Sequence, residues 1–197
     1  MAITYRFAPK YIWPAQKDDV HLAFDFIKAH ANEFGIDLHN FFILGRSAGA
    51  QIAGAVAYQM KDPGLRGYIS FYSPTDLKFG YEVGDEDDIL KSRQLVRNFM
   101  GGKPIEIPEN YKDASVIESL AQNPTPVPTL IFHGELDRLC WFKHSERLQM
   151  QLEARHIPHT FVRMPWATHG FDYNINGPSG QISTHLIESF LHQYSKE

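Results

Sequence analysis

The chain has 197 residues, 43% hydrophobic and 13% aromatic, which is enough apolar material for one domain with a sizeable core and too much for a disordered segment. A formal net charge of −4 leaves no basic stripe for phosphate backbones and excludes a nucleic-acid partner. No apolar stretch has the length to span a bilayer, residues 1–10 contain no signal-peptide core, and the single cysteine, Cys140, permits no intrachain disulfide, so a cytoplasmic protein without a membrane partner is expected.

Ile3-Thr4-Tyr5-Arg6-Phe7 alternates β-branched and aromatic residues and predicts a strand, ended by Ala8-Pro9. Asp18 or Asp19 can cap a helix whose apolar positions Val20, Ala23, Phe24, Ile27 and Ala31 recur at helical spacing, with Gly35 closing it. Phe41-Phe42-Ile43-Leu44 predicts a second strand. It runs into Gly45-Arg46-Ser47-Ala48-Gly49 and then a helix-forming stretch that Asp62-Pro63-Gly64 terminates. Residues 67–72 read as the next strand. The stretch from Thr75 to Pro128 is irregular, with helices predicted over 88–100 and 114–120. Its acidic cluster (Asp85, Glu86, Asp87, Asp88) reads as a solvated helix start, because no rigid ligand spacing for a metal is present. Thr129 to His133 is a near-continuous apolar run of the kind found in strands covered on both faces. A helix over 142–155, a strand over 159–164 and a helix over 181–193 follow. This alternation predicts an α/β domain with a mostly parallel sheet and helices on both faces.

Gly-x-Ser-x-Gly between a strand and a helix is the one local pattern here that carries chemistry. A serine on a sharp strand-to-helix turn needs small neighbours, which Gly45 and Gly49 supply. The helix start then lends its dipole and the backbone N–H of Ala48 to a developing oxyanion. Such a serine needs a base, and the base needs a carboxylate to orient it. Asp137 lies just past the strand 129–133, and His169 just past the strand ending at Met164. Serine, acid and histidine therefore follow one another in chain order at successive strand ends. Asp76 is the rival acid and His133 the next candidate base. Glu135 lies too close to its strand end, and Asp172 follows the histidine. His21, His30, His39 and His144 read as surface residues, and Cys140 as a buried small apolar residue without an activating neighbour.

Six blocks in this order resemble the α/β-hydrolase esterases of the hormone-sensitive-lipase and acetyl-xylan-esterase-like groups. They are Tyr5-Arg6-Phe7-Ala8-Pro9, Trp13-Pro14-Ala15 with Asp19-Val20, Gly45-Arg46-Ser47-Ala48-Gly49, Ser73-Pro74-Thr75-Asp76-Leu77, His133-Gly134-Glu135-Leu136-Asp137 and His169-Gly170-Phe171. The resemblance covers nearly the whole chain. It implies a single α/β-hydrolase domain over 1–197, with a cap-like insertion over 74–128. It also implies a Ser47–His169–Asp137 triad with Ala48 at the oxyanion, and hydrolysis of a small-molecule ester through an acyl-enzyme, without cofactor or metal. The same group includes formamidases and peptidases. Two departures stand out. Arg46 replaces the acidic residue that many members carry, and either favours acidic substrates or pairs with a nearby carboxylate. The His-Gly-Gly block that supplies the other half of the family's oxyanion hole is missing, together with the strand that would lie between residues 3–7 and the strand at 41–44. A truncated α/β-hydrolase fold is therefore expected, with a homodimer through the exposed strand near residues 3–7 and a weakened oxyanion hole. A catalytically weak remnant serving as a binding or assembly module is the alternative.

Overall fold

A computed structural model describes residues 1–196. In chain order the helices are α1 (Ala15–Ala29), α2 (Ala31–Phe34), α3 (Ala48–Gln59), α4 (Leu77–Val83), α5 (Ser92–Met100), α6 (Pro108–Ala114), α7 (Val116–Gln122), α8 (Lys143–Ala154) and α9 (Pro178–Tyr194). The strands are β1 (Phe41–Arg46), β2 (Leu65–Phe71), β3 (Thr129–Gly134) and β4 (His159–Met164). Among the described residues they form one sheet in the order β1-β2-β3-β4. Every pairing is parallel, with Gly45 opposite Ser70, Ile69 opposite Leu130 and Ile131 opposite Phe161. Parallel neighbours need a crossover of a dozen or more residues, and the helices between strands supply it.

The two-residue period of a strand sorts the core into faces. Tyr68 and Ile131 point to one side, where they meet Ala53 and Ala57 of α3, Leu120 of α7, and Leu148 and Leu152 of α8. Their neighbours Ile69, Phe71, Leu130 and Phe132 point to the other, against Phe190 and Leu186 of α9. A third cluster joins Trp13 and Val20 to Ile52 and Val56 of α3, with Leu77, Met100 and Tyr111. It fastens α1 and the helices α4 to α6 onto the outer side of α3. All functional loops therefore leave the carboxyl ends of the strands along one rim, where open α/β sheets bind ligands.

Residues 3–7 are not a strand. A strand requires a ladder, and here the backbone of Arg6 is satisfied otherwise. Its N–H donates to Asp19 Oδ2 (2.8 Å), its carbonyl accepts from Gln16 Nε2 (2.9 Å), and its guanidinium also bonds Asp19. The exposed strand expected there does not form, and among the described residues the sheet's edges are β1 and β4. Asp19, expected as a helix cap, is spent on this clamp, and α1 begins earlier, at Ala15. The helix predicted from residue 88 starts at Ser92, because Asp88 turns its carboxylate back onto the N–H groups of Leu90 and Ser92. Between Leu77 and Gln122 the expected helices form as α5 and α7, and two more, α4 and α6, stand beside them; α4 is capped by Asp76 Oδ1, which accepts from Phe79 N–H (3.0 Å). No described helix is long and apolar enough to cross a membrane.

Candidate active site

The nucleophile position is built by the β1–α3 turn. Ser47 sits at φ 52°, ψ −124°, in the left-handed half of the map that non-glycine residues occupy only under constraint. Two contacts impose it. The Ser47 N–H donates to the Phe71 carbonyl at the end of β2 (2.9 Å), and a Cβ on Gly45 would lie 2.3 Å from the Gly49 carbonyl oxygen. Gly45 is thus required by close backbone approach. Gly49 is not: a Cβ there would meet only the Tyr5 hydroxyl at 3.7 Å, an ordinary contact. Ala48 is the first residue of α3, so its N–H has no intrahelical acceptor and points out at the helix start.

Acid and base come from two loops pressed together. A Cβ on Gly134 would fall 2.3 Å from the Ala167 carbonyl oxygen, so only glycine lets the loop after β3 lie against the loop after β4. Leu136 N–H donates to that same carbonyl (3.0 Å). This contact delivers Asp137 to His169. His169 Nδ1 is 2.7 Å from Asp137 Oδ2, and His169 Nε2 is 3.0 Å from Ser47 Oγ. An ionised carboxylate only accepts, so the proton is assigned to Nδ1 and Nε2 is left free to accept from the serine hydroxyl.

Asp137 is fully buried, yet its charge is well provided for. Oδ1 accepts the N–H groups of Leu139 and Cys140, both at 2.9 Å, and His133 Nε2 lies 3.4 Å from Oδ2. Burial pushes its carboxyl up, but hydrogen bonds from His133, His169 and Cys140 N–H outweigh that and hold it well below the usual carboxylate range. A positive charge on the His169 ring would therefore face a permanent negative charge.

The rivals have other duties. Both Asp76 oxygens are engaged, by Phe79 N–H and by Arg147 (2.6 Å). His133 is buried between Ser145 Oγ (2.7 Å) and the Cys140 carbonyl (2.9 Å). Glu135 pairs with Arg163, and burial pushes the Cys140 thiol well up. Arg46 takes the pairing alternative, with Nε 2.5 Å from Asp172 Oδ2. His144, read from sequence as a surface residue, is buried. Desolvation lowers its pKa to about 4, and its Nδ1 faces Asp76 N–H at 3.5 Å. Sequence reasoning missed Tyr72, which lies against the base, and weighed Asp172 only as a rival acid. The available signal was a cation directly before the nucleophile and a carboxylate three residues after the base.

Two hollows flank the Ser47–His169 pair. A cavity of about 550 Å³ opens beside Ala48, with Phe7, Pro9, Ile52, Leu77, Leu95 and Phe99 among its walls. A shallower one of about 400 Å³ lies beside His169, against Leu136, Arg138, Leu139 and Thr168. Among the described residues no three His, Cys, Asp or Glu side chains gather as a metal-ligating group.

A parallel sheet with an elbow serine after one strand, an acid after a later one and a histidine after the last defines the α/β-hydrolase class. Within that class the chain belongs to the BD-FAE family, whose sequence model matches residues 1–152. It is 25% identical over 204 aligned residues to the probable carboxylic ester hydrolase LipM of Mycobacterium tuberculosis, an alignment covering 97% of this chain and 46% of LipM. It is 27% identical over 180 residues to esterase LipQ of the same organism, covering 87% of this chain and 42% of LipQ. The chain thus spans about half the length of these relatives. A truncated carbohydrate esterase from gut microbiota superposes with a TM-score of 0.80 at 19% identity, covering 97% of this chain and 73% of that one.

Proposed function

We propose that the chain hydrolyses small carboxylic esters through an acyl-enzyme on Ser47. The observation that carries the reading is one imidazole in hydrogen-bonding reach of both the Ser47 hydroxyl and the Asp137 carboxylate. The esterase names of the relatives support the same reaction class. Ser47 Oγ attacks the ester carbonyl carbon while its proton passes to His169 Nε2, and the oxyanion forms against Ala48 N–H. Collapse of the tetrahedral adduct breaks the ester C–O bond, and His169 returns the proton to the departing alkoxide. Water then attacks the acyl-enzyme with His169 again as base, releasing the acid and restoring Ser47.

The leaving oxygen must lie within reach of Nε2, which assigns the alcohol to the hollow at Leu136 and Thr168. The acyl chain is left to the larger apolar cavity beside Ala48. A homodimer belongs to the same reading. The strand near residues 3–7 that it was expected to use does not form, and sedimentation velocity at two concentrations reads whether the chain pairs at all.

The test is p-nitrophenyl acetate turnover, with a fluorophosphonate probe for Ser47. Ser47→Ala is expected to abolish labelling and cut turnover by more than about a thousandfold. Equal turnover by the two proteins rejects the esterase reading. A folded chain that does not label supports the inactive-remnant alternative, which the missing His-Gly-Gly block motivates, since loss of one oxyanion donor costs about 10²–10³ in rate. Faster cleavage of a matching anilide than of the ester would move the substrate class to amides.

A further inference from the structure

His169 stands on the loop between β4 and α9, where no regular structure holds it, and Gly170 beside it is left-handed (φ 74°). One bond from Nδ1 to Asp137 leaves the ring free to swing about that bond. A base that must stay 3.0 Å from a hydroxyl needs a second support.

We propose that Tyr72, Asp172 and Arg46 form a brace that sets the position of His169 relative to Ser47, with Tyr72 and Asp172 as positioning residues for the reaction proposed above. Tyr72 follows β2 directly. Its backbone is fixed by its N–H donating to the Phe132 carbonyl (2.8 Å), and it is held at φ 38°, a strained value for a tyrosine. Its ring lies against the imidazole, with centroids 4.4 Å apart and planes at 54°, and edge-on to Phe171 at 5.4 Å. Its hydroxyl donates to Asp172 Oδ1 (2.6 Å), three residues beyond the base. Burial first, and then the bonded carboxylate, push the phenol up, so the proton stays on the tyrosine.

Asp172 is itself buried, at 3% exposure. Its Oδ2 meets Arg46 Nε at 2.5 Å without the alignment of a hydrogen bond, so Arg46 acts there as a counter-charge. A buried carboxylate on a loop is costly unless it is paired, and here its two partners lie at the ends of β1 and β2. Arg46 is the residue before the nucleophile. The path Ser47–Arg46–Asp172–His169 therefore closes on itself through the Ser47–His169 bond, and Tyr72 forms its floor. A loop shift that moved His169 away from Ser47 would have to break the buried pair and the phenol bond together.

The inference rests on the serine-hydrolase reading, and two measurements separate their failures. The first needs no turnover: the low-field proton NMR signal of His169 Nδ1–H, bonded to Asp137. It is expected as a sharp resonance in the native chain and broadened or lost in Tyr72→Phe and Asp172→Asn. The second is steady-state kinetics with p-nitrophenyl acetate. Tyr72→Phe, which keeps the ring and removes only the hydroxyl, is expected to lower kcat about tenfold with KM unchanged, and Asp172→Asn somewhat more. The double variant is expected to lose no more than Asp172→Asn alone, because the hydroxyl acts through that carboxylate. An unaltered resonance in both variants, a KM rise at constant kcat, or losses that multiply would overturn the brace. A native chain that shows the resonance but neither turns over nor labels at Ser47 would overturn the reaction and leave the brace standing. If Asp172→Asn does not fold, Tyr72→Phe decides alone by the same two readouts.

Discussion

β3 and β1 lie two places apart in one sheet, and their surroundings could hardly differ more. All six residues of β3 are buried, with a paired strand on either side and helices on both faces. β1 has a ladder on one side only. Phe41, Phe42 and Ile43 are half-buried, and Leu44 is 46% exposed. Yet β1 carries the serine. The acid hangs from the most protected strand and the nucleophile from an edge strand. Sheet burial therefore locates Asp137, whereas Ser47 is located by local devices: the Gly45 approach, the bond to Phe71 and the Arg46–Asp172 pair.

The comparison is sharpest in stability. Phe132→Ala in β3 is expected to cost about 3–5 kcal/mol, the range for emptying a large buried aromatic site, while Leu44→Ala in β1 stays below about 1 kcal/mol. Urea unfolding monitored by tryptophan fluorescence checks both, and similar costs would break the contrast.

The well-covered side should also carry acid sensitivity, through His144 at the start of α8. Its pKa falls from about 6.5 in the unfolded chain to about 4 in the fold, by desolvation first, with Arg147 and His133 acting in the same direction and Asp76 and Asp137 opposing. The unfolded chain therefore binds the extra proton between these values. The stability that neutral His144 contributes is complete above about pH 6.5 and is lost as pH falls through about 4, on the order of 3 kcal/mol in all. His144→Gln, which cannot titrate, is expected to flatten unfolding free energy against pH in that window. A slope equal to that of the native chain would count against the burial argument.

Smaller still is the pair of glycines around the serine. Gly45→Ala is expected to cost about 1–3 kcal/mol and to slow fluorophosphonate labelling, because its Cβ meets backbone that cannot yield. Gly49→Ala is expected to change stability by less than about 0.5 kcal/mol and to leave labelling rates unchanged. Equal behaviour would mean that the turn is held by something other than the Gly45 contact.

Much of this was readable from the residues in order. Apolar runs bounded by turn signals located all four strands of the sheet, and the order serine, acid, histidine at successive strand ends singled out Ser47, Asp137 and His169, which the fold brings within 3.0 Å of one another in sequence along the relay. Residues 3–7 misled because alternation reports only that a segment suits a strand; whether it joins a ladder depended on Asp19 and Gln16 taking the Arg6 backbone first. Of the helices between Leu77 and Gln122, α5 and α7 were legible, whereas α4 and α6 have too few turns to announce themselves and are held by the cluster around Trp13, Leu77, Met100 and Tyr111.

Taken alone, the chain of residues determined which segments could be strands or helices and which side chains had the chemistry to share a site, because both are set by periodicity and by residue type. Only the tertiary structure decided that residues 3–7 stayed out of the sheet, that His144 lay inside, that Gly45 and not Gly49 was indispensable, and that Asp172 gripped Tyr72 and Arg46. Each of these depends on which atoms meet across long stretches of chain, and such contacts are chosen by packing and by competition for hydrogen-bond partners, neither of which is a property of any local stretch.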